Sequence, residues 1–414
     1  MISGKRLMNR LEEIYACGEK KDNTHTRIAF SEEDIKGREL FSKYLKELGY
    51  KPYLDEAGNL IARLDGLRND LPPIIMGSHL DTVPDGGKYD GVYGCVGALE
   101  VAEALVEDGN KLDHPIEIIV FSDEEGICFG KGLLGSNAMS GLPMEGFSEK
   151  DLSIDGKVRK DVFGNYGFCV DTMTKAARER SAVHCFIEMH VEQGRILDKA
   201  NKSIGVVTAI AGVKRYEVTV VGETNHSGST MMSDRKDALV AAADFISNVP
   251  KIVNQYGSMF GVGTVGKINV TPGSMNVIPG TCQFSLEIRE QTKEKLDLLE
   301  KQLFEYLKKA CYETKLDYKV KTVADYEPAP MDERVIQSLQ NICENEKIEY
   351  QKLPSGAFHD AMFMSRTFPT GMIFVPSVKG ISHAPGEYTK LEDLENGCNL
   401  LFKLVQVLDK TNFD

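Results

Sequence analysis

Gly77-Ser-His-Leu-Asp-Thr-Val-Pro84, followed by Tyr89-Asp-Gly91, is the stretch whose reading decides the fold. The apolar run Ile74-Ile75-Met76 before it reads as a buried strand. That strand delivers His79 and Asp81 to its end, and Asp90 follows in a glycine-rich loop. A second apolar run, Ile118 to Phe121, delivers Asp123-Glu124-Glu125 in the same way. Imidazole and carboxylate together are the donor set of zinc, manganese, cobalt or nickel. Asp81 lies two residues beyond His79, where it can orient that ring through its other nitrogen. One His-x-Asp alone is weak, because a lone histidine is usually structural. A second acidic cluster at an equivalent strand end favours a metal site.

Working outward, short apolar strands at 74–78, 116–122 and 186–190 alternate with helices such as 93–108. This rhythm predicts a parallel or mixed sheet covered by helices on both faces, with its site at the carboxyl ends of the strands. Leu7, Leu11 and Ile14 mark an N-terminal amphipathic helix. Ser31 to Asp34 resembles a capping box opening a second helix that Gly49 stops. Residues 53–63 read as a hairpin about Ala57-Gly58, and 130–180 as a segment of short helices.

From about residue 212 the pattern changes. A strand at 216–221, a helix from Ser233 to Ser247, strands at 261–270 and 281–289, a helix at 292–311 and a strand at 317–323 follow in order. That is β-α-β-β-α-β, the ferredoxin-like split unit. After Pro328-Ala-Pro330 the earlier rhythm returns, with a helix at 331–344, a strand at 371–375 leading to His383, and a terminal helix at 391–409. The expected organisation is a discontinuous catalytic domain, 1–210 plus 326–414, interrupted by a compact insert at 211–325.

Composition narrows the function. At 414 residues the chain exceeds one ordinary core. Its apolar content of 42% and charged content of 27% are those of a globular protein without a membrane span of ~20 residues. A net charge of −13 disfavours nucleic acid and anionic membranes as partners, while a local arginine still permits an anionic substrate. Nine scattered cysteines without a Cys-x-x-Cys pair predict reduced thiols, and the N-terminus lacks the apolar core of a signal peptide. Both point to the cytoplasm. Neither Gly-x-Gly-x-x-Gly nor a Walker lysine accompanies glycines 86, 87, 91, 94 and 97, so close packing beside a metal site accounts for them better than phosphate binding.

His-x-Asp-x-Val-Pro, the later Asp-Gly and Glu-Glu resemble the M20 metallopeptidase superfamily of two-metal amidohydrolases. Thr26-Arg-Ile-Ala-Phe-Ser31, Glu188-Met-His-Val-Glu-Gln-Gly194 and Gly380-Ile-Ser-His-Ala-Pro385 resemble the branch holding N-carbamoyl-L-amino-acid hydrolases and allantoate amidohydrolases. The resemblance implies two divalent ions, with Asp90 bridging them, His79 and His190 on one, and Glu125 and His383 on the other. It leaves Glu124 free to take a proton from the attacking water and pass it to the leaving nitrogen. It makes the insert a lid and dimerisation domain of a homodimer, with His226 polarising the scissile carbonyl in the partner's site. Gln193, Asn276, Arg289 and His359 match substrate-binding positions, and Arg289 suits a carboxylate through its bidentate fork. His25, His114 and His184 read as structural, with His184 the principal decoy because it shares strand parity with His190.

Departures from the branch fall on the pocket wall. Ile127 and Cys128 replace the usual Ser-Arg pair, Phe358 replaces a glycine, and Ser227 and Ser229 follow His226 in place of Ala and Thr. The leading reading is hydrolysis of a linear C–N bond, that of an N-carbamoyl-L-amino acid. Allantoate, and then acyl amino acids or dipeptides, are the alternative substrates. An inactive metal-binding homologue is a different class, and the presence of Glu124 with every candidate ligand argues against it.

Overall fold

The computed structural model describes residues 1–20, 24–109, 111–144 and 146–413. It divides into two compact units: residues to Thr208 together with those from Met331 onward, and Ala209–Pro330 between them.

The first unit is built on strands β1 (Tyr53–Leu54), β2 (Leu60–Leu64), β3 (Ile74–His79), β4 (Ile116–Phe121), β5 (Cys185–Val191), β6 (Ile204–Ile210), β7 (Tyr350–Ser355) and β8 (Thr370–Val375). They lie in the order β1-β2-β4-β3-β5-β8-β6, and β7 also pairs with β6. The pairs β3–β4, β3–β5 and β5–β8 are parallel, while β1–β2, β2–β4 and β8–β6 are antiparallel. Every residue of β3, β4, β5 and β8 is buried, as expected of central strands covered on both sides.

Strand β5 shows the two coverings directly. Met189 meets the helix Val92–Asp108, where Tyr93 Oη donates to its sulfur at 3.7 Å. Its neighbour Glu188 accepts from the amide of Ala361 at the start of the helix Ala361–Met364, at 2.8 Å. Adjacent strand residues point to opposite faces, so these helices cover opposite sides of the sheet.

Registry places the site. His79 pairs with Phe121 across β3–β4, and Phe374 with His190 across β8–β5. The carboxyl ends of four strands therefore finish near one level, and the polar loops after them share one rim. Residues 130–180 form the short helices Leu134–Met139 and Arg159–Asn165 and a 3₁₀ segment Val170–Ala176. Leu134, Ala138, Phe163 and Met173 make a satellite core there with Ala57.

In the second unit, strands 268–271, 281–290, 212–221 and 317–326 lie in that order, all antiparallel. The helices Ala238–Tyr256 and Lys293–Glu313 complete the split β-α-β arrangement. Phe245, Val249, Leu299, Leu303, Phe284 and Val218 are among its core. The first of these helices differs from the expected 233–247. It begins at Ala238 because the Asp237 carboxylate caps the amides of Leu239 and Val240, at 3.0 and 3.3 Å. Ser233 sits in a separate 3₁₀ turn. The helix continues past Pro250, which lies on its exposed side, where a carbonyl lacking its usual donor stays open to water. The expected strand at 261–270 is two short strands, Val262–Thr264 and Ile268–Thr271, on the same partner.

Candidate metal centre

Four loops converge at the carboxyl rim of the first unit's sheet. His79 ends β3, His190 sits one residue before the end of β5, and Glu124 and Glu125 follow β4. His383 follows β8, and Asp90 directly precedes Gly91, the N-cap of the helix Val92–Asp108. Asp90 Oδ1 lies 3.1 Å from His190 Nε2 and 3.9 Å from His79 Nε2. Its other oxygen, Oδ2, lies 2.8 Å from His383 Nε2, which in turn is 3.8 Å from Glu125 Oε1. Two potential ligand triads thus share one carboxylate: His79, Asp90 and His190, and Asp90, Glu125 and His383. His79, Asp90 and His190 are buried, whereas the His383 side chain is 48% exposed.

The histidines are pre-oriented. His190 Nε2 accepts the Gly91 amide at 3.0 Å, so its Nδ1 carries the proton and donates to the Val191 carbonyl at 2.9 Å. His79 Nδ1 meets the main-chain carbonyl of Asp81 at 2.9 Å. Both rings then present the Nε2 lone pair toward Asp90. Asp81 thus meets the other ring nitrogen of His79, but with its main-chain carbonyl. Its carboxylate stands 3.8 Å from the His79 ring and accepts instead from the amides of Glu124 and Glu125, at 3.3 and 3.1 Å. The carbonyl turns His79, while the carboxylate fixes the Glu124–Glu125 turn, which Asp123 enters with φ +50°.

The electrostatics match a cation-binding pocket. Burial, then the charge of Glu125, pushes Glu124 well above the usual carboxylate range, and burial followed by Asp90 does the same to Glu125. Burial lowers His79 to about 4. Asp90 is likewise buried, but the imidazoles of His190 and His383 beside it hold it well below the normal carboxylate value. Crowded buried carboxylates with nitrogen donors aimed between them are a nitrogen–oxygen set that divalent cations satisfy.

Glycine supplies the close approach that the sequence suggested. Gly91 adopts φ +66°, and a β-carbon there would overlap the His79 ring. Gln193, at φ +56°, points its amide nitrogen at Asp90 Oδ2 (2.9 Å) and His383 Nε2 (3.1 Å), so it touches the ligand set itself. His359 departs from its expected substrate-binding place. It is fully buried behind His190, with ring centroids 4.4 Å apart, and its Nε2 bonds Ser355 Oγ at 2.8 Å. Glu124 Oε2 stands 3.6 Å from His79 Nε2 and is nearly buried. The three remaining histidines of this unit lie away from the centre. His114 and His184 bond the carbonyls of Pro72 and Leu408, and His25 stacks on Tyr15 against Arg27. Sequence reasoning did not single out Glu387 and Ser382, which bond the loops bearing Asp90 and His383; Ser382 lies inside the His383 motif, and only its neighbour was read.

The other matched residues belong to the second unit. His226 is exposed on a two-stranded ribbon, paired with Val277. Its Nδ1 accepts the Gly228 amide at 3.1 Å, leaving the proton of a neutral ring on Nε2. The Asn276 carbonyl accepts the Ser227 amide at 3.0 Å. Arg289 pairs with Glu287 at 2.8 Å, which also pairs with Arg215.

Comparison with known proteins agrees with this geometry. The model of peptidase family M20/M25/M40 matches residues 75–407. The chain belongs to the M20 family. It is 36% identical over 406 residues to an N-carbamoyl-L-amino acid amidohydrolase of Geobacillus stearothermophilus, covering 98% of both chains. It is 33% identical over 376 residues to the allantoate amidohydrolase of Escherichia coli K12, covering 91% of both. Among solved structures, a hydantoinase/carbamoylase family amidase from Burkholderia multivorans superposes with a TM-score of 0.91 at 32% identity, over 99% of this chain and 98% of that one. The M20 family is metal-dependent, and the two triads about Asp90 are among the side-chain groups here that could hold an ion, beside His79 with Glu124 and Glu125 and His190 with Glu188 and His359.

Proposed function

We propose that this chain is a two-metal amidohydrolase that cleaves the ureido C–N bond of an N-carbamoyl-L-amino acid. The observation that carries the reading is Asp90, whose two oxygens face separate ligand triads, with Glu124 beside them and outside either triad. His79 and His190 would hold one ion, Glu125 and His383 the other, and zinc, manganese, cobalt and nickel all suit this donor set. When bound, such ions activate water and polarise the substrate carbonyl.

The remaining work falls to the chain's own side chains. Glu124 accepts the proton of the attacking water and returns it to the leaving nitrogen as the C–N bond breaks. The Asp81 carboxylate, on the amides of Glu124 and Glu125, keeps the base in place. Arg289 is the clamp for the substrate carboxylate, and Asn276 contributes to the same recognition. His226, with its proton on Nε2, serves as a hydrogen-bond donor to the scissile carbonyl of the partner subunit's substrate in a homodimer. A cytoplasmic location accords with nine free cysteines. No helix among the described residues is long and apolar enough to cross a membrane.

Allantoate is the second reading, supported by the Escherichia coli relative. The test is a substrate panel with added Mn²⁺, Co²⁺, Ni²⁺ or Zn²⁺, containing N-carbamoyl amino acids, allantoate and acyl amino acids. Release of free L-amino acid and ammonia from the carbamoyl compounds, at the highest kcat/KM of the panel, is the expected result. Turnover of allantoate alone would move the assignment to the second reading.

A further inference from the structure

The ligands Asp90 and His383 sit on loops 293 residues apart in sequence, with no strand pairing between them. Besides the contacts of Asp90 with His383 and Gln193, one carboxylate on the His383 loop grips the main chain of the Asp90 loop. Glu387 Oε1 accepts the main-chain amides of Tyr89 at 2.7 Å and Asp90 at 3.0 Å. Its Oε2 accepts the hydroxyl of Ser382, the residue before His383, at 3.0 Å. The same hydroxyl lies 3.2 Å from Asp90 Oδ2. A hydroxyl has one proton, so Ser382 shares it between two carboxylates and ties both to the His383 loop.

Gly87 shows how tightly the carboxylate is seated. A β-carbon at residue 87 would overlap both oxygens of Glu387. Glu387 is 7% exposed and lies at the edge of a groove lined by Glu12, Lys88, Tyr89 and Tyr388. Buried carboxylates that accept two amides and a hydroxyl are strong, directional fixtures.

We infer that Glu387 is a positioning residue that locks the Asp90 loop and the His383 loop into register for metal binding. The inference rests on the two-metal reading of the centre. Glu387 touches no ion and no substrate in this role. It sets where Asp90 Oδ2 and His383 Nε2 point, which are the atoms that face each other at 2.8 Å. Outer groups of this kind commonly change metal affinity by ~10–100-fold when removed.

Three variants test it. Glu387→Ala removes the clamp and leaves the Tyr89 and Asp90 amides beside a groove that water can enter. Gly87→Ala leaves Glu387 intact but displaces its carboxylate. Glu387→Gln keeps an oxygen for the two amides, and its NH₂ can donate to Ser382. Each protein is stripped with chelator and titrated with Mn²⁺, with bound metal read by equilibrium dialysis and elemental analysis. The metal-free unfolding midpoint is recorded for each. Wild type is expected to bind two ions. Glu387→Ala and Gly87→Ala are expected to weaken at least one ion by ~10–100-fold, and Glu387→Gln to stay within ~5-fold of wild type. Two ions bound by Glu387→Ala with unchanged affinity would overturn the inference and leave the two-metal reading intact. Affinity as low in Glu387→Gln as in Glu387→Ala would also overturn it, since charge rather than hydrogen bonding would then be responsible. A wild type that binds no metal would remove both the inference and the reading beneath it.

Discussion

His190 and His226 both match family positions, and they are built in opposite ways. His190 is fully buried, with one ring nitrogen on the Val191 carbonyl and the other receiving the Gly91 amide. His226 stands exposed on a two-residue ribbon, with one nitrogen on the Gly228 amide and the other turned outward. The contrast extends to the units that carry them. The first unit holds its reactive groups at the ends of central strands, over-determined by main-chain hydrogen bonds. The second carries Arg289 on a sheet whose outer strand, Asp317–Tyr326, is largely exposed, and Asn276 just before the ribbon strand Val277–Ile278. A ligand must be in place before an ion arrives, whereas a substrate contact must be accessible. On the proposed function, preorganisation belongs to the first unit and recognition to the second.

Substitutions can break or sharpen that contrast. The largest effect is expected at Glu124. Glu124→Gln is nearly isosteric and leaves both triads intact, so bound metal should be unchanged while kcat falls by ~10²–10⁴-fold. Turnover near wild type would show that the preorganised rim needs no base at this position.

A smaller effect is expected in the second unit. Arg289→Ala should raise KM by ~10–100-fold, the value of a charged hydrogen-bonded pair, with a lesser change in kcat and none in bound metal. An unchanged KM would leave Arg289 as an ion-pair partner of Glu287, the carboxylate that Arg215 also pairs with.

The smallest effect separates ligand histidines from structural ones within the first unit. His25 Nε2 lies 2.9 Å from Arg27 Nη1, and burial, followed by Arg27, lowers its pKa from 6.5 to about 3. Between those values the unfolded chain binds a proton that the folded chain refuses. Stability is therefore lost as pH falls through this window, by at most about 1.4 kcal/mol per pH unit for one group. His25→Asn should show a shallower loss on acidification, by chemical denaturation at pH 7, 5 and 4, with metal content unchanged. Equal slopes would mean that His25 keeps its ordinary affinity for protons.

The contrast also explains what the sequence disclosed. Strand-end chemistry was legible because β3, β4, β5 and β8 are short, largely apolar and closely followed by polar residues. The insert's element order was legible from alternating strands and from Leu296, Leu299, Leu303 and Leu307 at helical spacing. Strands β6 and β7 were missed, although Asn201-Lys-Ser203 before β6 and Gly356 after β7 are turn signals. The helix at 238–256 was misplaced because Pro250 reads as a stop and Ser233 as a cap. Only coordinates could show that Asp81 turns its carbonyl to His79 and its carboxylate to Glu124 and Glu125, because both are within reach from the same position. The Glu387 clamp joins loops too distant in sequence for spacing to suggest it.

The central claim is that one carboxylate, Asp90, organises two ions. The direct measurement is the metal content of wild type and Asp90→Ala, both purified without chelator and dialysed against the same free Mn²⁺ or Zn²⁺. The account expects two ions per chain in wild type and fewer than one in the variant, because both triads lose a member. Two ions retained by Asp90→Ala would contradict it.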